Sequence, residues 1–199
     1  MKRNDFSAAF KALKSGDVIL FPTDTLYALG ADIYNERAVR KVFDMKHRPY
    51  SIPLPVAVAS IQVIEKIAFT NDTAKKIIKQ FLPGTLTVIL KKKPSVPDFV
   101  TSTLDNIAIR IPNNTIALQL LSQYGPLTAT SANLHNQKTP GIISDILMQL
   151  DTHDIPVCFD DGIHEGTPST IVDLTTAKLR VTRIGPITEQ QLQDVITHG

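Results

Sequence analysis

Cysteine is almost missing from this chain of 199 residues: Cys158 is the single one. A disulfide framework is therefore excluded, and a reducing, intracellular home is the expectation. The thiol sits in the apolar run Ile155 to Phe159, where a cysteine is ordinarily packed rather than reactive. Long hydrophobic runs are lacking too. Nothing reaches membrane-spanning length, and Met1 to Asp17 has no apolar core of the signal-peptide kind. The expectation is a cytoplasmic protein with no membrane partner. Charge of one sign is also scarce, since 21 Lys and Arg stand against 19 Asp and Glu, a net +2. Any nucleotide or nucleic acid must then be held by a local patch and not by the field of the whole molecule.

The common chemical signatures are absent as well. Neither GxxxxGK[S/T] nor GxGxxG occurs, so the usual glycine-rich phosphate loops are excluded. No C-x-x-C or H-x-x-x-H spacing exists, which argues against a zinc site. No G-x-S-x-G elbow marks a serine nucleophile.

What is present is a hydrophobic fraction of 43%, ample for one core. Phe6, Ala9, Phe10 and Leu13 recur at helical spacing ahead of Gly16. Asn35 is placed to cap a helix carrying Ala38, Val39, Val42 and Phe43, and Asn71 or Asp72 to cap another ending at Pro83-Gly84. Thr188 and Gln191 have capping-box spacing. The runs DVILFP, LPVAVAS, TLTVILKKK, NIAIRIP, PLTATSAN, IPVCFDDG, STIVDLT and KLRVTRIG read as strands. Helices mostly alternate with these strands, yet some strands follow one another directly. The pattern predicts a single α/β domain over residues 1–199, with a twisted mixed parallel and antiparallel sheet flanked by helices.

Polar clusters fall where strands end, which is where open α/β sheets bind ligands. In FPTDTLYALG, Asp24 and Thr25 either face a ligand or cap a turn. In DMKHRPYSIP, the triplet Lys46-His47-Arg48 either closes a helix end or holds an anion on a loop stiffened by Pro49 and Pro53. Thr128, Thr130, Ser131 and Asn133 either bind a ligand or build a local turn. Arg110 interrupts an apolar strand, so it is an edge residue or a buried ion that needs a partner. Asp160 and Asp161 precede Gly162 with the composition of a turn, and the Lys91 to Lys93 run reads as a solvated strand end.

Taken in order, FPTDTLYALG, KHRPYSIPL, LPGTLTVIL, IAIRIP, LTATSAN, PSTIVDLT and RVTRIGPI resemble the YrdC family of threonylcarbamoyl-AMP synthases, over about residues 17–187. The family's K-x-R and S-x-N pair corresponds to Lys46, Arg48, Ser131 and Asn133. The resemblance implies a short, single-domain form with one large concave cationic cleft. It implies ATP, L-threonine and bicarbonate as substrates, Mg²⁺ accompanying the ATP, and threonylcarbamoyl-AMP as product. A downstream tRNA threonylcarbamoyl transferase would consume that product beside the anticodon. It also implies Thr25, Arg110 and Ser169 at the threonine end, with Ala129 supplying backbone contacts. Lys46, Arg48, Ser131, Asn133 and Arg183 would serve the nucleotide, and no residue is implied for the metal. Ala28, Ile52, Ala57, Asn106 and the Leu-His-Asn after Ser131-Ala132-Asn133 depart from the family pattern. Two further readings are a paralogue that binds tRNA or double-stranded RNA in the same cleft, and carbamoyl-adenylate chemistry on another amine.

Overall fold

The computed structural model describes residues 1–176 and 178–198. The N-terminal part runs β1 (Lys2–Arg3), α1 (Phe6–Lys14), β2 (Ile19–Phe21), β3 (Ala28–Gly30) and α2 (Glu36–Met45). β4 (Val56–Ala57), α3 (Ile61–Ile67), β5 (Ala68–Phe69), α4 (Asp72–Phe81) and β6 (Leu86–Lys92) come next. Then follow α5 (Asp98–Thr101), β7 (Asn106–Arg110), α6 (Thr115–Tyr124), β8 (Leu127–Thr128) and β9 (Thr130–Ser131). The chain closes with α7 (Ile143–Gln149), β10 (Val157–Cys158), β11 (Thr170–Asp173), β12 (Arg180–Arg183) and α8 (Glu189–His198). No described helix is long and apolar enough to cross a membrane.

The helices start where side chains offer an oxygen to their orphan amides. Asn35 Oδ1 accepts from Ala38 N at 3.1 Å, and Asn71 Oδ1 accepts from Ala74 N at 2.8 Å. Thr188 and Gln191 close a reciprocal box, Gln191 Oε1 taking Thr188 N and Thr188 Oγ1 taking Gln191 N. Past its cap, α2 buries Ala38, Val39, Val42 and Phe43, the stripe expected from their spacing, and Met45 as well. Asn71 works twice, because its Nδ2 also donates to Leu174 O at 3.2 Å. Asn71→Ala is expected to lower stability by about 1–2 kcal/mol. A urea titration should show the midpoint fall with unchanged slope.

The expected mixed sheet is divided in two. A five-stranded sheet has the order β1-β10-β2-β3-β9, and a seven-stranded one runs β12-β11-β6-β7-β4-β8 with β5 beside β6. Both mix directions: β10 and β2 are parallel while β2 and β3 are antiparallel, and β6 pairs parallel with β11 but antiparallel with β7. The run PLTATSAN, which reads as one strand, is the point of division. Its first half pairs with β4 in the larger sheet, and its second half pairs with β3 in the smaller. The break at Ala129 is held from both sides. Thr128 Oγ1 donates to Leu29 O and accepts from Ala31 N, both at 2.9 Å, while Ala129 N donates to Pro55 O at 2.8 Å. A strand that changes sheets brings two strand ends and their loops together, and the cavity lies at that junction. The main core is continuous across it, joining Leu20, Leu29 and Phe43 with Leu54, Val88 and Ile109.

Candidate active site

A cavity of about 320 Å³ opens where the two sheets meet, within the range of small-molecule sites. At one end stands Arg110, the last residue of β7, only 6% exposed. Its partner is Asp24, whose Oδ1 accepts from Arg110 Nη2 at 2.6 Å. The guanidinium also donates through Nη1 to Thr25 Oγ1 at 3.0 Å. Thr23 builds the turn that presents both groups. Its hydroxyl donates to Leu26 O at 2.6 Å and accepts from the amides of Thr25 and Leu26 at 3.2 Å. The turn in the TDT segment is thus made by Thr23, and not by Asp24 or Thr25, which both face Arg110. Burial pulls the Arg110 guanidinium below its ordinary range, Asp24 opposes the shift, and the charge of Arg183 adds to it.

Arg183 approaches from β12. Nε donates to Ser169 O at 2.9 Å and Nη2 to Ser169 Oγ at 3.2 Å. That hydroxyl is fixed in turn by Thr87 Oγ1 at 2.8 Å. The loop leading to Ser169 lies directly on the Thr25 turn: a Cβ added at Gly166 would stand 2.5 Å from Thr25 O. Only glycine permits that approach.

The other end is built by the loop after α2. Arg48 spends most of its fork on that loop, with Nε donating to Ile52 O at 3.0 Å and Nη2 to Pro53 O at 2.9 Å. This fixes the guanidinium against the cavity with Nη1 outside both contacts. The contribution of Ile52 is thus its carbonyl, while its side chain forms an apolar part of the wall. Ser131 faces the same space, and its hydroxyl donates to Asn133 Oδ1 at 2.5 Å.

Lys46 and Asn133 lie beneath this wall and not on it. Lys46 is 2% exposed, and its Nζ donates to Ser131 O at 2.5 Å, Asn133 O at 2.6 Å and Asn133 Oδ1 at 3.2 Å. Asn133 Nδ2 is likewise spent on the carbonyls of Leu134 and Gln137. The K-x-R and S-x-N segments are therefore joined by a buried latch, 85 residues of chain apart, with Arg48 and Ser131 presented above it. Burial, then the charge of Arg48, brings the Lys46 ammonium down to about 7.

The sequence-predicted residues Thr25, Arg48, Arg110, Ala129, Ser131, Ser169 and Arg183 all border this one cavity. Residues 11–185 match the family model Sua5_yciO_yrdC, described as telomere recombination. The chain belongs to the Sua5/YciO/YrdC family. It is 42% identical over 183 residues to a relative from Methanocaldococcus jannaschii, covering 92% of this chain and 86% of that protein. It is 32% identical over 188 residues to the threonylcarbamoyl-AMP synthase of Yersinia enterocolitica, covering 89% of this chain and 97% of that one. The crystal structure of Pyrococcus abyssi Sua5 complexed with L-threonine superposes with a TM-score of 0.90 at 32% identity. That match covers 98% of this chain and 60% of the Pyrococcus chain.

For this Sua5/YciO/YrdC protein, the remaining departures separate by position. Ala28 lies in β3 directly across from Ser131 and lines the cavity. Ala57 is fully buried beside Arg110 in the β4–β7 pairing, and Asn106 sits at the opposite end of β7 against Lys91. Asp160 and Asp161 are tied into a turn network with Tyr27, Asn114, His164 and Gly162. Among the described residues no group of three or more His, Cys, Asp or Glu could hold a metal ion. Sequence reasoning named Asp24 as a strand-end carboxylate but did not pair it with Arg110, although an arginine inside an apolar strand signals that a carboxylate must be near.

Proposed function

We propose that this protein is a threonylcarbamoyl-AMP synthase, converting L-threonine, bicarbonate and ATP to threonylcarbamoyl-AMP and pyrophosphate. The observation that carries the reading is the shared cavity, bordered by Arg110 and Thr25 as well as by Arg48 and Ser131. The threonine amine attacks the carbon of bicarbonate, and water leaves to give a carbamate. A carbamate oxygen then attacks the α-phosphorus of ATP, and the bond to pyrophosphate breaks. Every reactant is anionic or becomes so, which makes alignment and charge compensation the main demands on the protein.

In this proposal the threonine carboxylate is held by Arg110, with Thr25 and Ser169 near its polar groups. Arg48 and Arg183 offset the phosphates, and Ser131 orients them with the amides around Ala129. Magnesium would accompany the ATP and offset part of the phosphate charge, with no described residue assigned to hold it. No covalent nucleophile takes part, and the buried Cys158 has no role. The adenylate then passes to a transferase that modifies a tRNA adenosine.

A pyrophosphate-release assay tests the reading. Release is expected to require ATP, threonine and bicarbonate together. Serine, which lacks one methyl group, is expected to lose about 10- to 100-fold in kcat/KM, and valine, which lacks the hydroxyl, more. Pyrophosphate released without regard to threonine would overturn it. Gly166→Ala is expected to push its loop off the Thr25 turn and raise the threonine KM by about tenfold, with the ATP KM unchanged.

A further inference from the structure

The three arginines of the cavity are not electrostatically equivalent. Arg48 donates to the carbonyls of Ile52 and Pro53, and Arg183 donates to the carbonyl and hydroxyl of Ser169. All of those partners are neutral. Arg110 has a carboxylate, Asp24, at 2.6 Å, with both side chains nearly enclosed at 7% and 11% exposure. The pair is not completed as a two-bond fork. Arg110 Nε and Asp24 Oδ2 are both buried and without a hydrogen-bond partner among the described residues. A pair kept for structural stability would use those atoms, since a buried unmade hydrogen bond is costly. What Asp24 does supply in full is its charge.

That charge divides the cavity. Without it, the charge of Arg110 would add to those of Arg183 and Arg48, which border the same cavity, and a triphosphate could be drawn to Arg110 as well. We propose that Asp24 is a specificity-determining residue: by neutralising Arg110, it reserves that end for an amino-acid zwitterion and leaves polyphosphate to Arg48 and Arg183. A neutral ion pair attracts a dipolar, net-uncharged ligand through local bonds but has little long-range pull on a polyanion. The inference rests on the threonine and ATP reading given above.

Inorganic tripolyphosphate, a probe with phosphates and no nucleoside, tests it by inhibition of pyrophosphate-forming turnover followed through the adenylate product. In the unaltered protein, tripolyphosphate is expected to compete with ATP and not with threonine. In Asp24→Asn, which keeps an acceptor oxygen but no charge, it is expected to compete with threonine as well, with an inhibition constant lowered by at least about tenfold. Asp24→Glu is expected to keep the original pattern. An Asp24→Asn protein whose threonine kinetics ignore tripolyphosphate would overturn the inference. So would competition with threonine in the unaltered protein, a result that needs no variant to fold. Absence of threonine-dependent turnover in the unaltered protein would instead remove the functional reading, and this inference with it.

Discussion

Arg110→Met is expected to raise the threonine KM by about a hundredfold or more while the ATP KM stays within about threefold. The guanidinium ends β7, 6% exposed, in a site where a carboxylate meets little competing water. Charge-assisted bonds in such a setting are worth about 1.5–3 kcal/mol each, so losing the grip on a carboxylate costs roughly two powers of ten in affinity. The same change strands Asp24, whose charge would lie buried without its partner. Removing one member of a buried pair costs about 3–5 kcal/mol of stability. Arg110→Met with Asp24→Asn should therefore recover most of the lost stability and none of the threonine affinity. Urea titrations and threonine kinetics on the three proteins would separate the two effects. A double variant that regains threonine binding would show that Arg110 acts only through folding.

Lys46→Met is expected to reduce kcat by about a thousandfold, with the threonine KM changed much less. The methionine reproduces the lysine stem as far as its ε-carbon but removes the ammonium, leaving Asn133 O without its donor and Ser131 O with the Asn133 amide alone. Each unmet buried acceptor costs about 1–3 kcal/mol, so the turn that presents Ser131 would shift to find other partners. The loss falls on the Arg48 end, where phosphate geometry matters, and spares the Arg110 end. Lys46 also gives stability a pH dependence. Its folded-state pKa of about 7 lies below the ordinary value of 10.5, so the unfolded chain holds the extra proton between those limits. Stability should then rise as pH increases from about 7 toward 10.5, and the cost of the buried charge should be fully present below 7. Lys46→Met removes that contribution. The difference in urea midpoint between the two proteins should widen from pH 7 to pH 9, and a constant difference would contradict the account.

Local chemistry was the legible part of the sequence. Asn35, Asn71 and the Thr188–Gln191 box sit where their capping bonds form, because those bonds span three residues and need no tertiary context. The residues bordering the cavity were legible through the resemblance to the YrdC family, since strand-end polar clusters alone left both a local turn and a ligand open. The division of the fold was not. LTATS reads as one strand, and only its partners, β4 before Ala129 and β3 after it, split it between sheets. Strands as short as Lys2–Arg3 exist only through pairing with distant chain. The depth of Lys46 was hidden for the same reason. A K-H-R triplet looks solvated until the turn at Ser131 supplies three oxygens to the lysine. Arg110 announced that it needed a partner, but nothing short of the tertiary fold could choose Asp24 from the other carboxylates.

The most direct test of the central claim, that one cavity joins threonine, bicarbonate and ATP, follows the carbon of bicarbonate. Protein, ATP, threonine and ¹³C-bicarbonate should yield an adenylate whose mass carries both threonine and the labelled carbon, with one pyrophosphate released per adenylate formed. An adenylate without the label, or pyrophosphate released without any threonine-containing adenylate, would contradict the account.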